Sequence, residues 1–245
     1  MPESSTQTEQ QKPKYWALVP AAGLGRRLGA KTPKQYLKLH GKEVLSWTLQ
    51  TLTALDFLEK IVLVLHPEDN YFATYMAQEF PDVLLVMGGD ERQDSVANGL
   101  EFLAGLADSN DWVLVHDAAR PCLLAKDVNK LISCLKEDKV GGILAAQVKD
   151  TLKRSDESLT VVKTLKRNEH WLAATPQLFR FNILLDALTR AKKSGFTATD
   201  EAAAVEAIGL PVKIVEGRSD NLKITSQEDL ALAEFLLKQL GKVNA

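Results

Sequence analysis

The sequence predicts an α/β fold of the Rossmann-like kind, with a mostly parallel central sheet, helices on both faces and a protruding β-hairpin arm. Three observations predict it. Short, continuous apolar runs at 16–19, 60–65 and 111–116 read as strands buried on both faces. Helical stretches separate them, so strand and helix alternate along the first 146 residues. The alternation breaks at 148–168, where two polar, alternating runs flank Ser155-Asp156-Glu157-Ser158 and read as a hairpin.

In chain order, residues 1–14 are polar and rich in Gln, Ser, Thr and Glu. They are expected to form a disordered tail. They have no apolar core for a secretory signal, and Glu3 and Glu9 without arginine argue against a transit peptide. Residues 15–245 are expected to form a single domain. Its first strand, at 16–19, runs into Pro20-Ala21-Ala22-Gly23-Leu24-Gly25-Arg26-Arg27-Leu28-Gly29, followed by Pro33-Lys34-Gln35. Glycines here let backbone N–H groups approach a ligand. From Tyr15 to Lys42 there is no Asp or Glu, whereas Arg26, Arg27, Lys31, Lys34, Lys38 and Lys42 all fall there. A strand, a glycine turn and uncompensated positive charge suit a polyphosphate. The plainer alternative is a turn beside a solvated cationic face. A dinucleotide site is disfavoured: it wants an acidic residue about 20 positions on, and here the next strand comes later and ends in His66-Pro67. No Gly-Lys-Ser/Thr follows the turn, so the Walker pattern is absent.

A short strand and turn at 36–41 and a helix at 43–55 follow. The strand at 60–65 leads to a helix at 67–80, bounded by Pro67 and Pro81. A third strand at 83–87 enters Gly88-Gly89-Asp90-Glu91-Arg92-Gln93-Asp94-Ser95 and a helix from about 95 to 106, with Asp94 or Ser95 as its cap. The fourth strand, 111–116, releases Asp117-Ala118-Ala119-Arg120-Pro121. Ligands in open α/β sheets bind outside the carboxyl ends of strands, so the loops at 23–34, 88–95 and 117–121 are expected to meet at one crevice. A helix at 123–136 and a strand at 142–146 precede the hairpin, which is too polar to stand alone and must lie on the body or a second subunit. Beyond it come a rigid turn at Thr175-Pro176-Gln177, a helix at 181–193 closed by Gly195, and a helix from Thr199, its cap, to 208. Strands at 211–216 and 222–225 and a final helix capped by Ser226 complete the chain.

Composition narrows the class. A net charge of −2 excludes an electrostatic nucleic-acid binder. No apolar run reaches the ~18 residues of a membrane span. Cys122 and Cys134 lie far apart, which fits a reduced, cytoplasmic protein with Cys122 as a small packing residue. The four histidines form no pattern of a base or metal ligand.

Taken together and in order, Pro20-Ala21-Ala22-Gly23-x-Gly25-x-Arg27, Pro33-Lys34-Gln35, Gly88-Gly89-Asp90-x-Arg92-x-Asp94-Ser95, His116-Asp117-Ala118-Ala119-Arg120-Pro121, Thr175-Pro176-Gln177, Thr199-Asp200-Glu201, Glu216-Gly217 and Asn221-x-Lys223-x-Thr225 resemble one family. It is the 2-C-methyl-D-erythritol 4-phosphate cytidylyltransferases, and the resemblance spans 16–240. It implies cytidylyl transfer from CTP to a sugar-alcohol phosphate with loss of pyrophosphate, in non-mevalonate isoprenoid synthesis. Such in-line displacement needs charge neutralisation and alignment rather than a covalent nucleophile.

The resemblance also implies roles. Arg27 and Lys34 would stabilise the triphosphate and the five-coordinate phosphorus, with Lys223 completing the catalytic set. Pro20, Ala21, Ala22, Gly23, Gly25, Gly89, Asp90 and Ser95 would hold the nucleotide, with Asp117 and Ala118 at the ribose. Thr151 and Arg167 on the arm would reach the methylerythritol phosphate in a neighbouring subunit's site, so the chain would be a homodimer through 148–168. Arg120, Thr175 and Thr199 would complete that pocket, although Arg120 can equally brace its loop against Asp90 or Asp117. Mg²⁺ would bridge phosphate oxygens, with Asp117 and Asp220 as the nearest protein ligands. Two other readings stay open at this point: a ribitol 5-phosphate cytidylyltransferase sharing the CTP site, and a non-catalytic CTP-binding module.

Overall fold

The computed structural model describes residues 12–23 and 32–243. The chain runs through β1 (Tyr15–Pro20), a small hairpin of β2 (Lys38–Leu39) and β3 (Lys42–Glu43), α1 (Val44–Thr53), β4 (Leu58–Leu65) and β5 (Val83–Met87). It continues through α2 (Arg92–Leu103), β6 (Trp112–Val115), α3 (Ala125–Leu135) and β7 (Gly141–Gln147). Then come β8 (Lys153–Ser155), β9 (Val161–Thr164), β10 (Trp171–Arg180), α4 (Phe181–Ser194), α5 (Glu201–Ala207), β11 (Lys213–Glu216) and α6 (Gln227–Gln239).

Seven strands form the central sheet in the order β11-β7-β10-β6-β1-β4-β5. β10 runs antiparallel to both its neighbours, and every other pairing is parallel. The apolar runs alternate between two buried faces. Ala17, Val19, Ile61, Leu63 and Leu114 pack with Leu45, Leu49 and Leu52 of α1 and Val128 and Leu131 of α3. Trp16, Leu18, Val62, Val64 and Val113 pack with Val96, Leu100 and Leu103 of α2 and Leu184 and Leu188 of α4. A strand clad on both sides has no polar side to show, which is why its sequence is continuously apolar. α6 adds a third cluster through Ala233 and Leu237, against Trp47, Ala119 and Ile224.

The chain leaves β1 toward β4 on one side and later returns to β1's other side as β6. The order therefore reverses at β1, and a crevice opens there at the carboxyl ends of β1 and β6.

Several expectations are corrected. The helix expected at 67–80 is reduced to a π-helical turn, Phe72–Met76. Asp69 Oδ1 accepts the N–H groups of Tyr71 and Phe72 (3.0 and 3.3 Å), so helical turning begins only there. Thr175-Pro176-Gln177 is not a turn but a bulge within β10, whose register against β7 shifts between Ala173 and Gln177. The peptide bond Thr175–Pro176 is cis. Residues 222–225 pair with no sheet strand; Ile224 N–H donates to the Ala119 carbonyl instead (2.9 Å). α2 starts at Arg92, so Asp94 and Ser95 lie inside it and Glu91 is its cap. Asp94 still serves, accepting the Glu91 N–H from the third helical position. The cap of α5 is Asp200, which accepts Ala203 N–H at 2.9 Å; Thr199 is exposed beside it. Ser226 caps α6 as expected.

The hairpin forms a separate sheet of β8 and β9 with every strand residue exposed. Its turn is knotted by Asp156 Oδ1, which accepts from Ser158 N–H, Ser158 Oγ and Thr160 N–H.

Candidate functional site

The crevice at the β1–β6 reversal has a volume of about 620 Å³. Pro20, Ala21, Ala22 and Gly23 line it from the β1 exit, Asp90 and Ser95 from the β5–α2 loop, and Asp117 and Ala118 from the β6 exit. Lys34 and Lys223 face it from further along the chain. The described ends of the first loop, Gly23 and Lys34, thus meet the other two loops at one crevice.

Each wall is held by a short-range device. Gly88 N–H bonds the Leu65 carbonyl at 2.7 Å. A Cβ on Gly88 would stand 2.5 Å from Ala22 Cβ and 2.8 Å from Ser95 Oγ. Only glycine lets the β5–α2 loop lie this close to the β1 exit. Ser95 Oγ accepts Gly89 N–H and donates to the Glu91 carbonyl (both 3.2 Å), pinning the loop to the first turn of α2. Across the crevice, Gln35 Nε2 donates to the Ala21 carbonyl at 2.8 Å. That bond ties the 3₁₀ turn Lys34–Tyr36 to the β1 exit. Lys34 Nζ donates to the Ile224 carbonyl at 3.4 Å.

Asp117 is the electrostatic centre, with a side chain only 7% exposed. Its Oδ1 faces Arg92 Nε at 3.1 Å; its Oδ2 faces Lys223 Nζ at 3.0 Å and Arg120 Nε at 3.2 Å. Burial alone would raise its pKa, but Arg92, Lys223 and Arg120 outweigh burial and hold the carboxyl far below the usual range. Arg92 also grips Glu201 of α5 with both terminal nitrogens, at 2.6 and 3.1 Å. Behind the loop, Asp117 N–H donates to Thr175 Oγ1 at 3.0 Å, and Thr175 Oγ1 lies 3.0 Å from His116 Nδ1. His116 Nε2 lies 3.2 Å from the Arg120 carbonyl, which can only accept, so Nε2 carries the proton and Nδ1 accepts from Thr175. Burial pulls the His116 pKa down to about 4, which keeps the ring neutral near pH 7.

The sequence-derived residues divide accordingly. The β1-exit residues, Lys34, Asp90, Ser95, Asp117, Ala118 and Lys223 all line the crevice. Gly25 and Arg27 lie outside the described residues. Gly89 stands just behind the wall, its N–H turned to Ser95. Arg120 braces its own loop, reaching Asp117 and the Asn221 carbonyl (2.7 Å). Thr175 is buried behind Asp117, and Thr199 lies outside the lining. Thr151 and Arg167 sit exposed on the arm and do not line their own chain's crevice; Arg167 NH1 donates to the Lys149 carbonyl. Arg92, Gln35 and His66 line the crevice without having been assigned a role. Arg92 and Gln35 stood inside the quoted motifs, but their partners, Glu201 and Ala21, are set by the fold.

The two carboxylates named for a cation do not fit a protein-held Mg²⁺. Both oxygens of Asp117 already face cations, and Asp220 pairs with Arg218 at 2.6 Å outside the lining. Among the described residues, no three Asp, Glu, His or Cys side chains gather as a metal site. No helix among them is long and apolar enough to cross a membrane.

Comparisons with known proteins agree on one family. The family model for 2-C-methyl-D-erythritol 4-phosphate cytidylyltransferase matches residues 15–239. The protein of that name from Hahella chejuensis is 45% identical over 227 residues, covering 93% of this chain and 94% of its own. That of Haemophilus influenzae is 48% identical over 221 residues, covering 90% and 95%. The crystal structure of the Francisella tularensis protein of that name superposes with a TM-score of 0.78 at 34% identity, covering 91% of this chain and all of its own.

Proposed function

The chain belongs to the 2-C-methyl-D-erythritol 4-phosphate cytidylyltransferase family, and from that premise we propose that it transfers a cytidylyl group from CTP to 2-C-methyl-D-erythritol 4-phosphate. A phosphate oxygen of the sugar-alcohol phosphate attacks the α-phosphorus of CTP in line. The bond from the α-phosphorus to the bridging oxygen breaks, and pyrophosphate leaves. The product is 4-diphosphocytidyl-2-C-methyl-D-erythritol, an isoprenoid precursor of the non-mevalonate pathway.

The observation that carries the reading is the crevice itself, where a glycine-tight backbone wall faces Lys34 and Lys223. The backbone wall from Pro20 to Gly23 and the loop of Asp90 and Ser95 suit the cytosine. Cytosine presents an N4 donor where uracil presents an acceptor, so main-chain carbonyls there discriminate between them. Lys34 and Lys223, with Arg27 by family resemblance, neutralise the charge that grows on the phosphates. Asp117 holds Lys223 in place and presents its loop to the ribose. A Mg²⁺ ion would enter with the triphosphate, held by phosphate oxygens and water as is usual for that ion.

The arm completes the site in this reading. Thr151 and Arg167 stand away from their own chain's crevice, and Leu159, Val161 and Val162 of the hairpin are 86%, 57% and 53% exposed. Apolar side chains on so small a hairpin call for a second surface. A homodimer would cover them and bring Thr151 and Arg167 to the partner's sugar phosphate, with Thr199 on the receiving side. Two unpaired cysteines, one buried, fit a reducing cytoplasm.

The test is pyrophosphate release with CTP and Mg²⁺, comparing methylerythritol phosphate with ribitol 5-phosphate. Release with the first alone is expected. Release with ribitol 5-phosphate alone refutes the substrate. Silence with both, in a protein that still binds CTP, refutes the reaction.

A further inference from the structure

Arg92 is a crevice-lining cation, and the obvious reading makes it a ligand for the nucleotide's phosphates. Its contacts argue otherwise. All three guanidinium nitrogens face carboxylates: Nε meets Asp117 Oδ1, while NH1 and NH2 clasp both oxygens of Glu201. Glu201 is 1% exposed and begins α5, beside the cap Asp200. It is fixed from below. Gln177 of β10 donates to Asp200 Oδ2 and accepts Ala202 N–H, both at 2.9 Å, so the start of α5 is bolted to the sheet. Glu201 is therefore a buried, immobile anion placed against one pocket cation.

The charges around Asp117 show what this accomplishes. Arg92, Arg120 and Lys223 converge on one carboxylate. Glu201 supplies the second negative charge, and it is spent on Arg92. Arg120 is occupied by Asp117 and the Asn221 carbonyl, with its side chain 13% exposed. Lys223 has only a shared hold on Asp117 Oδ2 and is 35% exposed. Of the three, Lys223 is the cation able to exchange a carboxylate for an incoming phosphate.

We infer that Glu201 is a positioning residue that neutralises Arg92, so that Arg92 braces Asp117 rather than binding phosphate and Lys223 alone of the three is left to meet the anion. The inference deepens the cytidylyltransferase reading and rests on it. Unneutralised, Arg92 would add a further phosphate ligand on the crevice wall, beyond Lys34 and Lys223. It would bind pyrophosphate more tightly in the ground state and slow its departure, which raises no rate.

The experiment is calorimetric titration of inorganic pyrophosphate into wild type, Glu201→Gln and the double variant Arg92→Gln/Glu201→Gln, with thermal midpoints and turnover on the same samples. Glu201→Gln is expected to bind pyrophosphate roughly tenfold more tightly, since one buried negative charge beside the site is gone, while kcat falls. A merely structural lesion lowers the midpoint and does not improve anion binding. The double variant removes a neutral pair and is expected to bind pyrophosphate within about twofold of wild type. If Glu201→Gln does not fold, the double variant decides. A tenfold loss of pyrophosphate affinity in the double variant shows that Arg92 is itself a phosphate ligand and overturns the inference. Unchanged or weaker binding in a folded Glu201→Gln also overturns it. Absence of turnover in wild type would count against the reaction, whereas the affinity ratios decide the role of Glu201.

Discussion

Replacing Asp117 by Asn keeps the shape of the side chain and removes the charge on which three cations converge. The cost follows from what each cation has left. Arg92 retains Glu201 at 2.6 and 3.1 Å. Lys223, 35% exposed, can turn to water. Arg120 is the one stranded, with the Asn221 carbonyl as its remaining partner. Breaking a buried ion pair from one side costs about 3–5 kcal/mol. With two of the three cations relieved, Asp117→Asn is expected to lose about 2–3 kcal/mol. In a domain of this size that is a fall of roughly 4–12 °C in Tm. The folded-state pKa of Asp117 lies below its unfolded value. Its contribution is therefore complete above the unfolded carboxylate value of about 4 and fades only as pH falls from there toward the folded value. Urea denaturation of both proteins between about pH 8 and 3 tests this, since unfolding free energy is read directly from the transition. The gap between them is expected to stay level down to about pH 5 and narrow below about pH 4. A gap under about 1 kcal/mol, the value of an exposed pair, refutes the reasoning. So does a gap that halves between about pH 8 and 6, where a carboxylate held this low does not titrate.

Two further predictions address the wall and the arm. Gly88→Ala forces a methyl to 2.5 Å from Ala22 Cβ and 2.8 Å from Ser95 Oγ. It should cost about 1–3 kcal/mol of stability and raise the KM for CTP more than that for the sugar phosphate; a neutral effect on both would remove this contact from the nucleotide site. Arg167→Ala, at an exposed arm position, should leave Tm within about 1 °C, as expected for a surface change worth a few tenths of a kcal/mol, and weaken the sugar phosphate far more than CTP. Equal weakening of both substrates in steady-state kinetics would detach the arm from the substrate site.

The convergence of three loops was legible in the sequence because strand polarity is a one-dimensional property. Apolar runs at 16–19, 83–87 and 111–116 announce the strands that these loops leave, and parallel strands put their exits at one edge. Local chemistry was legible too, as in Ser226 capping α6 and Gly195 closing α4 in the left-handed conformation. Misreadings arose where a side chain one to three residues from the expected position set the boundary. Asp69 trimmed the 67–80 helix, Glu91 moved the start of α2, and Asp200 rather than Thr199 capped α5.

The sequence by itself determined the strand order of chemistry: an acid-free loop after β1, a glycine loop after β5 and Asp117 after β6. Only the tertiary structure decided how these charges are shared. Arg92 and Glu201 stand 109 positions apart, Gln35 and Ala21 are joined from 14 positions apart, and Thr175 reaches His116 and Asp117 from another strand. The reason is physical. Capping and periodicity act over one or two turns and are written in neighbouring residues. The partner of a buried charge is whichever group the packed sheet brings within about 3 Å, and no local pattern carries that distance.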